Sequence, residues 1–212
     1  MAIEFKTQQI PGRFPEIWRG ECKMLPGGFK PVQEFPIGTI VRRATPLYVD
    51  FDTMTAAVCK TATVLNGGTT KEVRVPKGHY FVNGDKIIKH GADALGEIDT
   101  IDRSNDAYDI LKLKAAYTGI KADDVIAEGI ADTEGIADTE GEGEAATTTN
   151  RVRYTPNNIN GEDKEFTGRG LPTLDAAYEA VVLVPSLLFP MLPEWLTGIA
   201  LKNNPNIIYI KQ

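Results

Sequence analysis

The sequence contains few of the residue types on which most catalytic and metal sites depend. It has two cysteines, Cys22 and Cys59, and two histidines, His79 and His90. Their spacing matches neither a zinc site nor a Cys-x-x-Cys redox motif, so we expect no metal site and two free thiols, with one disulfide as the alternative. A Gly-x-Ser-x-Gly nucleophile motif and a phosphate-binding P-loop are also missing. We therefore predict a protein that is not an enzyme and has neither catalytic residues nor a cofactor.

Long uninterrupted apolar runs are missing as well. The most apolar stretch, residues 180–201, is interrupted by Pro185, Pro190 and Pro193. A membrane-spanning helix needs about 20 consecutive apolar residues, and proline removes backbone donors that such a helix requires. The start of the sequence does not show the basic and then apolar pattern of a signal peptide. We therefore expect no membrane partner, and synthesis in a reducing cytoplasm.

Negative charge is concentrated in one stretch. The net charge is −6, but residues 123–145 contain nine acidic residues and no lysine or arginine. The other residues include 23 basic and 20 acidic side chains, and residues 1–43 carry seven basic and four acidic ones. A nucleic-acid-binding face would need a much denser basic patch, so we expect no nucleic-acid partner. The basic excess in residues 1–43 either meets an acidic protein surface or is simply solvated.

Glycine and proline together account for 33 residues, and polar and apolar residues alternate in short runs such as 71–75. This combination is typical of many short strands joined by turns. We predict a mainly β protein with a small β-barrel-like body, an extended N-terminal arm and an apolar C-terminal segment. The expected parts are a partner-docking arm at 1–43, the barrel body at 44–128, an acidic loop at 129–150 and a β or extended oligomerisation segment at 151–212.

Two internal similarities stand out. Residues 81–91 and 120–129 share a turn that ends in aspartate and precedes an apolar run, which predicts two variants of one hairpin. The hexapeptide at 129–134 recurs unchanged at 135–140, and we interpret it as a solvated loop that grew by duplication. Residues 174–179 are predicted to form a short helix, whereas 181–184 and 207–210 are predicted strands.

Both ends of the chain carry large apolar side chains whose environment the sequence leaves open. The N-terminal arm contains the aromatic residues Phe14, Trp18 and Phe29 among prolines and glycines. They either pack on the chain's own body or dock on a partner, because solvated arms are poor in aromatics. The C-terminal strip poses the same choice between the chain's own core and a subunit interface, and its candidate interface residues are Leu188, Phe189, Met191, Leu192 and Trp195.

Several stretches resemble the head-fibre or capsid decoration proteins of tailed bacteriophages. The resemblance covers about residues 5–128, with a weaker similarity in the apolar C-terminal strip. One of its patterns, Lys-Gly-His-x-Phe-x-x-Gly-Asp, also resembles small barrels in other virion proteins. The stretches that carry it are 11–21, 35–40 together with 45–50, 77–85, and 98–104 followed by 108–109.

The resemblance implies a virion structural protein on the outer surface of the phage head, made in the host cytoplasm. It implies a homotrimer that binds the major capsid protein through its N-terminal part. The candidate capsid-binding residues are Arg13, Phe14, Trp18 and Phe29. The alternatives are a tail or baseplate adaptor and a carbohydrate-binding virion protein. A glycan hydrolase is a third possibility from another class, and it would need a cleft with converging acids.

Overall fold

The computed structural model describes residues 16–25, 28–133, 148–168 and 173–211. Within these ranges the chain is mainly β, which confirms the predicted fold class. The first ten strands are β1 (Trp18–Met24), β2 (Lys30–Pro31), β3 (Ile40–Val41), β4 (Pro46–Asp50), β5 (Thr55–Val58), β6 (Thr61–Thr63), β7 (Glu72–Pro76), β8 (Lys86–Lys89), β9 (Leu95–Asp102) and β10 (Tyr108–Leu113).

The second half of the chain adds eight strands and two short 3-10 helices. The strands are β11 (Val125–Thr133), β12 (Thr148–Val152), β13 (Asn158–Asn160), β14 (Lys164–Glu165), β15 (Ala176–Leu183), β16 (Leu196–Thr197), β17 (Ala200–Leu201) and β18 (Asn204–Ile210). The 3-10 helices are Val184–Ser186 and Pro193–Trp195, each with a proline in its first turn.

The short helix predicted at residues 174–179 is wrong, because β15 occupies most of this segment. Ala176 and Ala177 pair with β13, and the rest of β15 pairs with β18 and β1. A short apolar run cannot be assigned to helix or strand from its periodicity alone. Here the backbone hydrogen bonds of three neighbouring strands decide the outcome.

A seven-stranded sheet forms the barrel-like body. Its order is β12-β11-β8-β9-β10-β7. The seventh strand, β6, also pairs with β11, at residues 125–127. The sheet curls until the second residue after β6 meets β7, where the N–H of Leu65 donates to the C=O of Arg74 over 2.8 Å. Alternate side chains of β7 and β10 point inward, as their sequence pattern predicts. They pack in the barrel interior with Phe81, Ile87 and Ile126.

A nine-stranded sheet lies against this body in the order β16-β17-β18-β15-β13-β4-β5-β2, with β1 paired to β15. Strands β4 and β5, which lie within the range 44–128 of the predicted barrel body, pair within the nine-stranded sheet. Two strands of the predicted N-terminal arm, β1 and β2, are also in this sheet, whereas the third, β3, pairs with β14 in a separate two-stranded sheet. Strand partners satisfy backbone N–H and C=O groups that an isolated extended segment would leave to water.

The same turn precedes β8 and β11. In each, the fourth residue is an aspartate whose N–H donates to the first C=O and whose carboxylate accepts the first N–H. These distances are 3.2 and 2.8 Å for residues 82–85 and 3.3 and 2.7 Å for residues 121–124. The third residue has a positive φ in both turns, 88° at Gly84 and 68° at Asp123. The two similar segments thus form one type of turn, and the strands that follow them pair antiparallel.

Candidate functional site

The candidate capsid-binding residues of the N-terminal arm have different environments. Arg13 and Phe14 lie outside the described residues. Trp18 is half-buried on β1, where it packs against the core beside β15. Phe29 is only 2% exposed and forms an isolated bridge with Leu174. This corrects the expectation for Phe29, since its side chain is already covered by the chain itself.

The apolar C-terminal strip is divided between the interior and the surface. Leu192 and Trp195 are 0% and 1% exposed and belong to the chain's own core, so they are not available to a partner. Met191 and Phe189 are half-buried, and the ring of Phe189 lies 4.8 Å from that of Tyr80. Leu188 is 62% exposed. Of the five residues predicted at an oligomer interface, Leu188 keeps the most free apolar surface.

Leu188 lies on the rim of an open groove of about 550 Å³. Three distant segments form its walls: residues 36–40 before β3, residues 77–79 after β7, and Arg103 after β9. Strands β7 and β10 pair with Tyr108 opposite Pro76, which brings Asp109 and the residues after β7 to the same end of the sheet. A second cavity of about 490 Å³ shares Pro36 and Arg103 with the groove.

The wall at residues 36–40 is held by backbone hydrogen bonds. The N–H of Gly38 donates to Phe166 and the N–H of Phe166 donates to Thr39, over 2.7 and 2.9 Å. Strand β3 then pairs with β14. The side chain of Ile37 remains 77% exposed at the rim of the groove. Ile37 is not among the site residues predicted from the sequence, although its position between Pro36 and Gly38 is typical of a turn tip.

His79 at the base of the groove is held as a neutral side chain. Its Nδ1 accepts the N–H of Phe81 over 3.1 Å, so the ring proton is on Nε2. Nε2 lies 3.2 Å from Oδ2 of Asp109, but the direction is too poor for a hydrogen bond. Burial lowers the pKa of His79 to about 4; Asp109 opposes this shift, and nearby Arg103 and Lys77 add to it. A ring nitrogen that already accepts a hydrogen bond is a poor general base.

The cations of the groove differ in how far they are neutralised. The Lys77 ammonium donates to Oδ1 of Asp109 over 2.7 Å and to the C=O of Arg103 over 3.0 Å. The guanidinium of Arg42 lies 3.2 Å from Oδ2 of Asp163. The guanidinium of Arg103 has no carboxylate within 4.0 Å among the residues that the structure describes. The groove therefore carries one uncompensated positive charge beside two apolar rims.

A separate cluster of charges lies in the interior, where the two sheets meet. Lys60, between β5 and β6, contacts Asp85 over 2.7 Å and Glu128 over 3.4 Å. Arg153 contacts Glu128 from the surface over 2.9 Å, and Gln33 donates to it over 3.2 Å. Every buried charge in this cluster has an opposite partner, which is typical of a structural network.

Other kinds of site find no support in the described ranges. No group of three or more His, Cys, Asp or Glu side chains is arranged there to hold a metal ion. Neither of the short helices is long or apolar enough to cross a membrane. Burial raises the pKa of both free thiols, more strongly at Cys59 than at Cys22, so neither is an activated nucleophile.

Comparison with known proteins gives no relative. No family model matches the sequence. Neither the curated proteins nor the solved structures contain a match. What the chain does therefore has to be inferred from its own residues and their arrangement.

Proposed function

We propose that this chain is a structural protein of a tailed-bacteriophage virion, a head-fibre or decoration protein that binds the outer surface of the capsid. One observation carries the proposal. Three of the stretches that resemble this family, 35–40, 77–85 and 98–104 with 108–109, converge on the groove and the adjoining cavity. Residues that are far apart in sequence and form one surface are well placed to make one shared contact.

The surface around the groove has the character of a protein contact site. Ile37 and Leu188 are the two most exposed large apolar side chains in the described part of the chain. Apolar anchors supply much of the binding free energy at interfaces when a partner removes them from water. A decoration protein also gains avidity when several copies act together, which agrees with the trimer that the resemblance implies.

Co-sedimentation with empty heads tests the capsid role. The probe is a head assembled from the major capsid protein encoded with this chain. We expect saturable binding at a fixed number of copies per head, and weaker binding when Trp18, the half-buried candidate contact residue on β1, is replaced by Ala. The absence of binding to heads would overturn the proposal. Binding to purified tails instead would support the tail or baseplate adaptor.

Solution mass tests the trimer separately. The chain has a mass of 23.2 kDa, so a trimer has roughly three times that mass in sedimentation equilibrium. We expect the wild type to have the mass of the trimer. We expect the same mass for Ile199→Asp, because Ile199 is 60% exposed but does not line the groove, so this variant controls for an added surface charge. A wild-type monomer at micromolar concentration would contradict the trimer and leave the capsid test unaffected.

A further inference from the structure

Arg103 is the most conspicuous unpaired charge of the groove. Its side chain is exposed and lines both the groove and the adjoining cavity. Within the described residues its guanidinium has no ion-pair partner, and its C=O is occupied by Lys77. A guanidinium presents a planar set of donors that matches a carboxylate in bidentate fashion.

Neither acidic residue that lines the described groove or the adjoining cavity pairs with the Arg103 guanidinium. Asp109 is buried and its carboxylate is bound to Lys77. Glu34 lines the adjoining cavity, but its carboxylate is more than 4.0 Å from any guanidinium nitrogen of Arg103. The two neutralised cations, Lys77 and Arg42, also line the groove. Arg103 is therefore the cation of the groove that is left to pair with an incoming anionic group.

The shape and the apolar rim restrict the kind of anion. Exposed Ile37 and Leu188 both line the groove, together with half-buried Phe189, the residue after Leu188. Such a pair favours an aliphatic side chain next to the acidic group. A nucleic acid would need several free cations along its backbone, whereas the groove presents one. The one phenyl ring among the described lining residues, Phe189, is half-buried and packs against Tyr80, which leaves little flat surface for stacking on a sugar.

We propose that this groove binds an acidic peptide segment of a partner protein, with a carboxylate on Arg103 and a neighbouring aliphatic side chain against Ile37 and Leu188. The groove of about 550 Å³ has room for several residues of an extended segment, and the cavity of about 490 Å³ borders it at Pro36 and Arg103. This site is inferred from the charge and shape of the groove and does not depend on the virion role. Binding of acidic peptides without binding to phage heads would contradict the proposed virion function but would support the peptide site.

A random peptide library displayed against the full chain is the first test. We expect enrichment of peptides in which Asp or Glu stands within two positions of Ile, Leu or Val. The same selection on Arg103→Glu should lose the acidic residue. Enrichment of neutral or basic peptides, or no enrichment, would overturn the proposal. The proposal would also be overturned if Arg103→Glu lowered the solution mass while no acidic peptide was enriched, since the groove would then join copies of this chain.

The enriched peptide then gives a quantitative test by fluorescence anisotropy. Loss of a charge-assisted hydrogen bond should weaken binding ~10- to 100-fold in Arg103→Glu. Lys202→Glu makes the same charge change at an exposed position outside the groove and should bind as the wild type does. A peptide with Lys in place of its acidic residue should recover binding to Arg103→Glu. Equal affinity of the two variants for the acidic peptide would contradict the site.

Discussion

The ammonium group of Lys60 lies 2.7 Å from Oδ2 of Asp85, and the two side chains are only 2% and 10% exposed. Asp85 closes the turn before β8, while Lys60 occupies the break between β5 and β6. The contact therefore joins the barrel-like body to the nine-stranded sheet. Glu128, also buried, is shared between Lys60 and Arg153. Removal of the Lys60 ammonium would leave the buried carboxylates of Asp85 and Glu128. Of these two, only Glu128 would keep a cationic partner, Arg153.

Lys60→Met should therefore destabilise the fold strongly. Breaking a buried ion pair by removing one partner typically costs about 3–5 kcal/mol, because the remaining charge is left uncompensated. The measurement is the free energy of unfolding in urea at pH 7. Lys114→Met is the control, since Lys114 pairs with Glu97 at the surface and should change stability little. Similar stabilities for both variants would show that the interior cluster is not held together by Lys60.

The environment of His79 predicts a dependence of stability on pH. Its pKa is about 4 in the folded chain, against an ordinary value near 6.5. Between these values the unfolded state binds more protons than the folded state, so the free energy of unfolding falls as the pH falls. From pH 7.5 to pH 5 we expect this residue to contribute a loss of about 1–2 kcal/mol.

His79→Asn isolates that contribution. The Asn side-chain oxygen can still accept the N–H of Phe81, but the side chain does not titrate in this range. The variant should lose less stability than the wild type between pH 7.5 and pH 5, as measured by urea unfolding. NMR titration of the imidazole gives a direct check. A midpoint near 6.5, with equal pH slopes for the two proteins, would contradict the burial that the structure assigns to His79.

The two equivalent turns before β8 and β11 predict which substitutions Gly84 tolerates. Its φ is 88°, and an added Cβ would meet no atom within 4 Å, so the cost of a side chain is conformational. Asp123 occupies the equivalent position with φ 68°, which shows that a short polar side chain fits this conformation. Gly84→Asn should cost below about 1 kcal/mol, whereas β-branched Gly84→Val should cost about 2 kcal/mol. Thermal unfolding of both variants tests this order, and equal costs would be inconsistent with a left-handed backbone at residue 84.

Local patterns predict strands well where pairing and burial follow the same alternation. The alternating run at 71–75 lies largely in β7, and the strand predicted at 207–210 lies in β18. Between β5 and β6, by contrast, the strand is interrupted at residues 59–60. The break turns Lys60 inward towards Asp85, a contact between residues 25 positions apart. No local pattern indicates that a lysine will be buried, since lysine is almost always exposed unless it is paired.

The groove could not be predicted from the sequence. Lys77 and Arg103 belong to stretches that carry the resemblance, but nothing in the sequence indicates that they line the same groove. Their proximity depends on the antiparallel pairing of β7, β9 and β10. The division of the C-terminal strip was likewise hidden, because Leu188 and Leu192 have the same side chain. Only the packing of the strip against β15 and β18 distinguishes them.

Leu188 and Leu192 therefore provide the sharpest comparison within one segment. Leu192 is fully buried, so Leu192→Ala removes packed methyl groups and should cost about 2–5 kcal/mol in the free energy of unfolding. Leu188→Ala should change the stability of the isolated chain by less than about 0.5 kcal/mol, because its side chain is largely in water. Both are measured by urea unfolding at low protein concentration, where association contributes little. A large cost at Leu188 under these conditions would mean that its side chain is covered within a single chain, and it would remove Leu188 from the rim of the groove.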